Sequence, residues 1–302
     1  MHPRLRIFAM FGVLTVVFTA IGWALGSYFF SNWILGAALF LVLAGAMNFI
    51  SYFFAHKIVL WSYRAKIVTE QEAPRLYRLV RKAAGFTGLP MPKVAIVPMQ
   101  TPNAFATGRN QKTAVVAATE GTLTLLDDRE LTGVLAHEMA HVKDRDILVM
   151  SVAATVAGAI AFMARMFMWN LWLGGGQRRN SNGSDILIAV VVAVTAPLAA
   201  MMVQLAISRS RETKADLVGA TNSGDPGALA DALEKLESAN KRRPFQRGNP
   251  ASSSLFIVNP FRGSAFFKLF STHPPIQERV RRLRAMAQEM RYGRAMPAIH
   301  PS

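Results

Sequence analysis

Residues 134–160 read VLAHEMAHVKDRDILVMSVAATVAGAI and join two things that rarely touch, a cluster of histidines and acids and a long run without charge. The uncharged part decides the fold class. It is one of four apolar runs close to the ~20 residues that a helix needs to cross about 30 Å of hydrocarbon. They extend from Ile7 to Phe30, Trp33 to Phe54, Ile147 to Ala164 and Ile186 to Ile207. The 302-residue chain is 52% hydrophobic and only 17% charged, with a positive mean hydropathy, well away from the balance of an ordinary soluble domain. The first run is too long for the core of a signal peptide and is followed at once by the second, so all four are read as transmembrane helices.

Lysine and arginine fix the expected orientation. Arg4 and Arg6 precede the first run, Lys57, Arg64 and Lys66 follow the second, Lys143 and Arg145 precede the third, and Arg209, Arg211 and Lys214 follow the fourth. With four crossings these all share one side, which the positive-inside rule makes cytoplasmic, along with both termini. Arg178 and Arg179, in the loop GGGQRRNSNGSD, are the exception. The net charge of +16 then reads as a basic face against anionic lipid headgroups. It is not read as a nucleic-acid footprint, because no recognition helix or aromatic stacking platform accompanies it. With no cysteine in the chain, disulfides and thiolate ligands are excluded.

The expected organisation is two spans in 1–54, a first cytoplasmic piece in 55–146, a membrane hairpin in 147–207 and a second cytoplasmic piece in 208–302. The two cytoplasmic pieces are expected to fold as one unit. In the first, a helix around Glu72 to Gly85 leads into short strands at PKVAIVP and TAVVAAT, with NAFATG between them. A second helix begins near Asp128 and carries Leu131, Val134, Leu135 and Met139 on one apolar stripe. In the second piece, GDPGALADALEKLESANK and HPPIQERVRRLRAMAQEM read as helices with proline at the start, separated by a mobile loop at KRRPFQRGNPASSS.

His137 and His141 are four residues apart, so on a helix they project on one side, one turn above the other, and can pinch a single metal ion. Glu138, rotated about 100° from His137, can reach a water on that ion without ligating it. This is the H-E-x-x-H arrangement of zinc hydrolases, with the glutamate as general base. A catalytic zinc needs a third protein ligand and an open position. A histidine six residues beyond the second is ruled out, since that position is Ile147. The next acids on the same side are Glu212 and Asp216, again four apart. Two readings stand for them: Glu212 as ligand with Asp216 accepting a histidine N–H, or an exposed acid pair balanced by Arg209, Arg211 and Lys214.

HEMAH, SRSRETKAD, TPNAFATG and STHPPIQERV, in register with four apolar runs over essentially the whole chain, resemble the HtpX family of membrane-bound heat-shock zinc metalloproteases, distant relatives of the CAAX prenyl endopeptidases. The resemblance implies a mainly α membrane protein with four transmembrane helices and a cytoplasmic α+β zincin-like metalloprotease domain containing a small sheet. It implies one Zn2+ per subunit on His137, His141 and Glu212, with Glu138 as catalytic base. By the same resemblance, Asn103, Ala104, Phe105, Ala106, Thr107 and Gly108 line the cleft as an edge strand for extended polypeptide substrates. His273 stands near the site as an oxyanion donor or as a helix cap, Arg279 holds Asp216, and Asp146 supports the end of the motif helix. The implied activity is cleavage of misfolded or damaged membrane proteins at the cytoplasmic face of the bacterial inner membrane, in stress response and quality control. A dedicated prenyl-protein protease and a non-catalytic zinc-binding scaffold are the alternatives. A transporter is disfavoured, because the spans carry almost no ionisable residues.

Overall fold

The computed structural model describes residues 3–29, 31–174, 209–242, 255–258 and 274–292. The fourth apolar run, most of the expected loop after residue 240, and His273 lie outside the described residues.

Two helices open the chain, α1 (Pro3–Phe29) and α2 (Trp33–Ser62). Within them Leu5–Ser27 and Trp33–Ser62 are long and apolar enough to cross a membrane. At 1.5 Å per residue, the 30 residues of α2 span about 45 Å, enough to cross the hydrocarbon and continue into the headgroup region. Asn32 caps α2 by accepting from Leu35 N–H at 3.0 Å, which turns the chain sharply into an antiparallel hairpin. The hairpin packs on glycine. A Cβ on Gly36 would stand 2.2 Å from the Gly22 carbonyl oxygen and 2.5 Å from Gly26 Cα, so only glycine allows this approach. Asn48 adds a polar link, its side-chain amide donating to Thr15 Oγ1 at 3.1 Å.

After α2 come β1 (Lys66–Val68), α3 (Pro74–Thr87), β2 (Lys93–Val97), β3 (Ala104–Thr107), β4 (Val115–Thr119), α4 (Glu120–Leu125) and α5 (Asp128–Lys143). Then follow α6 (Asp146–Gly174), α7 (Arg209–Ser223), α8 (Pro226–Arg242) and α9 (Ile276–Arg291). The strands form one sheet in the order β1-β2-β4-β3. β2 and β4 are parallel, and the outer pairs β1–β2 and β3–β4 are antiparallel. The fold is thus mainly helical with a small mixed sheet. β1 has no counterpart in the sequence reading, since three residues are too few to show a period.

Both faces of the sheet are covered, which explains strands built from unbroken runs of valine and alanine without polar alternation. On one face Val94, Ala104, Ala106, Val116 and Ala118 join the core that α3, α5 and α8 complete with Leu79, Leu131, Leu135, Met139 and Leu233. On the other, Ala95, Val97, Phe105, Val115 and Ala117 pack on Val59 of α2 and on Met150 and Ala154 of α6. Tyr63, the residue that caps α2, lies with its ring 5.6 Å from that of Phe105. The start of α6, the third expected span, is turned inward in the same way. Val149, Val152, Ala153 and Val156 form a buried cluster with Met10, Leu14 and Phe18 of α1. The sheet therefore lies between the core of α3, α5 and α8 and the ends of the apolar helices, and β3 is one of its two edges.

Replacing Gly36 with valine should force α1 and α2 apart. Overpacking of this kind costs roughly 1–3 kcal/mol, so the detergent-solubilised chain should melt at a lower temperature, whereas Leu43→Val on the exposed face of α2 should leave the melting point in place.

Candidate metal centre

Helix α5 begins at a reciprocal cap. Asp127 accepts from Glu130 N–H at 2.8 Å and Glu130 Oε2 accepts from Asp127 N–H at 3.1 Å, satisfying two backbone donors that the helix leaves unpaired. The expected apolar stripe of Leu131, Val134, Leu135 and Met139 is buried. From Glu130 to Val142 the helix is buried on every side without a break, because α3, α7, α8 and β3 surround it. The polar residues of that stretch are consequently inside the protein. His137, Glu138 and His141 are each less than 5% exposed.

The structure brings Glu212, near the start of α7, to these histidines. The Nε2 atoms of His137 and His141 are 3.3 Å apart. Glu212 Oε2 is 3.7 Å from the first and Oε1 is 3.5 Å from the second. The imidazoles do not lie face to face; their planes meet at 85°, which turns both Nε2 atoms toward a common point. Ligands about 2.0–2.1 Å from a tetrahedral ion are separated by ~3.3 Å, so the three observed edges fit one zinc-sized ion with slight contraction.

The opposite nitrogens explain why these are electron-pair donors. His137 Nδ1 lies 2.9 Å from Asp216 Oδ1, and His141 Nδ1 lies 3.5 Å from Asp146 Oδ2. Protons assigned to the Nδ1 atoms leave the Nε2 lone pairs facing each other and the Glu212 carboxylate. Burial, only partly opposed by Asp216, pushes His137 below the usual histidine range, so it stays neutral and able to ligate. Three donors converging in an enclosed space suit a cation and would otherwise repel.

Asp216 is held in turn. Arg279 of α9 donates from Nε to its Oδ2 at 2.8 Å and from Nη2 to its Oδ1 at 2.7 Å. The third donor of Arg279, Nη1, goes to the Ile257 carbonyl at 2.9 Å. Burial alone would raise the Asp216 carboxyl, but Arg279 and His137 together bring it down to about 2. Asp146, the first residue of α6, is ion-paired to Arg211.

Glu138 faces the edge strand. Its Oε2 accepts from Ala106 N–H at 3.0 Å. Burial pushes its carboxyl up to about 7, with Glu212 adding to the effect and His141 opposing it. Along β3, Asn103 C=O accepts from Thr119 N–H, so the alternation of an antiparallel ladder turns Phe105 and Thr107 toward β4, and Ala104 and Ala106 outward. The Asn103 side chain is directed elsewhere. It donates to Leu255 C=O at 3.1 Å and accepts from Ile257 N–H at 3.2 Å, which ties the buried segment 255–258 to the end of the strand. Thr107 Oγ1 and Ser151 Oγ of α6 are 2.7 Å apart, and Gly108 closes the strand in a left-handed conformation, φ 149°.

One residue that the sequence reading missed makes the site possible. A Cβ on Gly219 would stand 2.8 Å from His137 N and 2.9 Å from its Cα, so α7 can approach the motif helix only at this glycine. Its signal was its position, seven residues after Glu212 and therefore on the same helix face.

Residues 70–287 match the model of Peptidase family M48. A relative from Thermococcus sibiricus described as "Protease HtpX homolog" is 51% identical over 288 residues, covering 95% of this chain and 97% of its own length. A relative from Syntrophobacter fumaroxidans with the same description is 49% identical over 95% of this chain and 100% of its own. Among solved structures, the "Crystal Structure of S. mikatae Ste24p" gives a TM-score of 0.46 at 18% identity, covering 91% of this chain and 63% of that one.

Replacing Arg279 with methionine strands the buried Asp216 charge. Breaking a buried pair from one side costs roughly 3–5 kcal/mol, so denaturant unfolding should show a large loss that the Asp216→Asn, Arg279→Met double variant partly recovers. Gly219→Ala should leave a folded chain that retains less metal after dialysis against a chelator.

Proposed function

The chain belongs to peptidase family M48 and is a membrane metalloprotease, and from that premise we propose that it is a zinc endopeptidase cutting misfolded or damaged membrane proteins at the cytoplasmic face of the bilayer. The convergence of His137, His141 and Glu212 at 3.3–3.7 Å carries this reading. These three side chains would hold the ion, one per subunit. A divalent cation there supplies a Lewis acid that polarises a carbonyl and brings the pKa of water toward neutrality.

The remaining steps belong to the chain. A polypeptide substrate lies extended beside β3 and pairs with the outward backbone groups of Ala104 and the carbonyl of Ala106, whose N–H is taken by Glu138, which gives affinity with little demand on side-chain identity. Glu138, held by Ala106 N–H through Oε2, uses Oε1 to take a proton from the attacking water and returns it to the leaving amine. A carboxyl near pH 7 suits both halves of that exchange. Asp216 and Asp146 keep the histidines in the ligating tautomer. Enclosure of the site excludes bulk water and strengthens each of these interactions.

The membrane setting rests on further observations. Basic residues flank the apolar helices on one side, which supports a cytoplasmic active site and cytoplasmic termini in a multi-pass protein of the bacterial inner membrane. Four spans, with the protease domain divided between 55–146 and 208–302, complete that arrangement. β3 packs against the ends of α2 and α6, which supports a cleft close to the bilayer, where loops and tails of membrane proteins emerge.

Glu138→Gln should retain stoichiometric zinc and lose casein cleavage by at least about 10²–10⁴-fold, the usual worth of a general base, whereas Glu212→Ala should lose both metal and activity. Zinc retained with undiminished cleavage in Glu138→Gln would contradict the assignment.

A further inference from the structure

Arg6 stands where α1 enters its apolar stretch, between Leu5 and Phe8, which are 54% and 69% exposed. Arg6 is the second residue of the apolar segment Leu5–Ser27, so with that segment across a bilayer its guanidinium lies near the level of the lipid headgroups. Its Nη1 is enclosed and has no hydrogen-bond partner among the described residues. Arginine side chains in such places normally find one, because an enclosed N–H left unmade costs free energy.

The neighbouring charges supply no partner. The positive charge of Arg6 acts unfavourably on that of Arg211. Arg211 is ion-paired to Asp146, and Lys214 holds Asp144 at 2.6 Å. Three cations thus meet two carboxylates, and among the described residues Arg6 has no acidic partner. What is missing is one anion, at headgroup depth, able to accept from a planar guanidinium. A phosphate oxygen pair matches that fork.

We propose that Arg6, with Arg211 beside it, binds the phosphate of an anionic phospholipid headgroup. The lipid joins the start of α1 to the start of α7, the helix that carries Glu212. Arg211 also holds Asp146, which faces His141, so the bound lipid sits at the outer end of a chain of contacts leading to the metal centre.

The test uses metal-loaded full-length protein in neutral detergent and reads the shift in thermal midpoint on adding phosphatidylglycerol, phosphatidylcholine or inorganic phosphate. Phosphatidylglycerol should raise the midpoint by roughly 3 °C or more, and the other two should not. Arg6→Gln should abolish the shift, Arg6→Lys should keep part of it, and Lys112→Gln, an exposed basic residue elsewhere, should keep all of it. A full shift in Arg6→Gln, an equal loss in Lys112→Gln or an equal shift with phosphatidylcholine would overturn the site. An equal shift with inorganic phosphate, lost in Arg6→Gln, would overturn the lipid as the source of the anion.

Discussion

Three electron-pair donors pointed at one another inside a protein constitute the constraint on which the rest of the structure depends. Two imidazole Nε2 atoms and a carboxylate, at separations of 3.3, 3.5 and 3.7 Å, call for a cation between them. Several features of the fold serve to hold them there. The reciprocal cap at Asp127 and Glu130 fixes where α5 begins. Gly219 lets α7 approach the backbone of His137. Asp216, pinned by both arms of Arg279, settles which nitrogen of His137 keeps its proton. The buried Asp216–Arg279 pair is no great source of stability in itself, since desolvation offsets much of its attraction. Its effect is to leave one arrangement of the histidine and no other.

The same helices tie the chemistry to the membrane. α6 starts three residues after α5 ends, and its first residue faces His141. The sheet uses its second face to pack on α2 and α6, and the aromatic contact of Tyr63 with Phe105 joins the end of an apolar helix to the edge strand. A protease domain excised from its apolar helices would therefore expose that face of the sheet. The candidate metal centre and the apolar helices are parts of one packed body, which accounts for the abruptness with which HEMAH gives way to uncharged sequence.

How much of this could be read beforehand depended on sequence distance. The spacing of His137 and His141 is local, and helix geometry alone places them together. Glu212 lies more than seventy residues further on, and composition left it balanced between ligand and exposed acid; only its likeness to a family pattern tipped the reading. Its burial at 2% comes from the packing of α7 on α5, which no local period encodes. The helices α8 and α9 are legible from their proline starts and amphipathic spacing and α3 from its periodicity, with bounds that differ by only a few residues. β1 was illegible because three residues carry no pattern. The burial of α5 on all sides from Glu130 to Val142 is illegible because the polar side of that stretch meets partners distant in sequence. The Asn103 amide meets the segment 255–258, a contact across more than 150 residues that no local pattern encodes.

Zinc K-edge absorption on the purified full-length protein tests the central claim most directly. The account predicts one zinc per chain in a four-coordinate shell, with two histidine nitrogens at about 2.0–2.1 Å and the balance oxygen, and loss of that signature when Glu212 is replaced by alanine. A shell without histidine, or an unchanged spectrum and stoichiometry in Glu212→Ala, would contradict it.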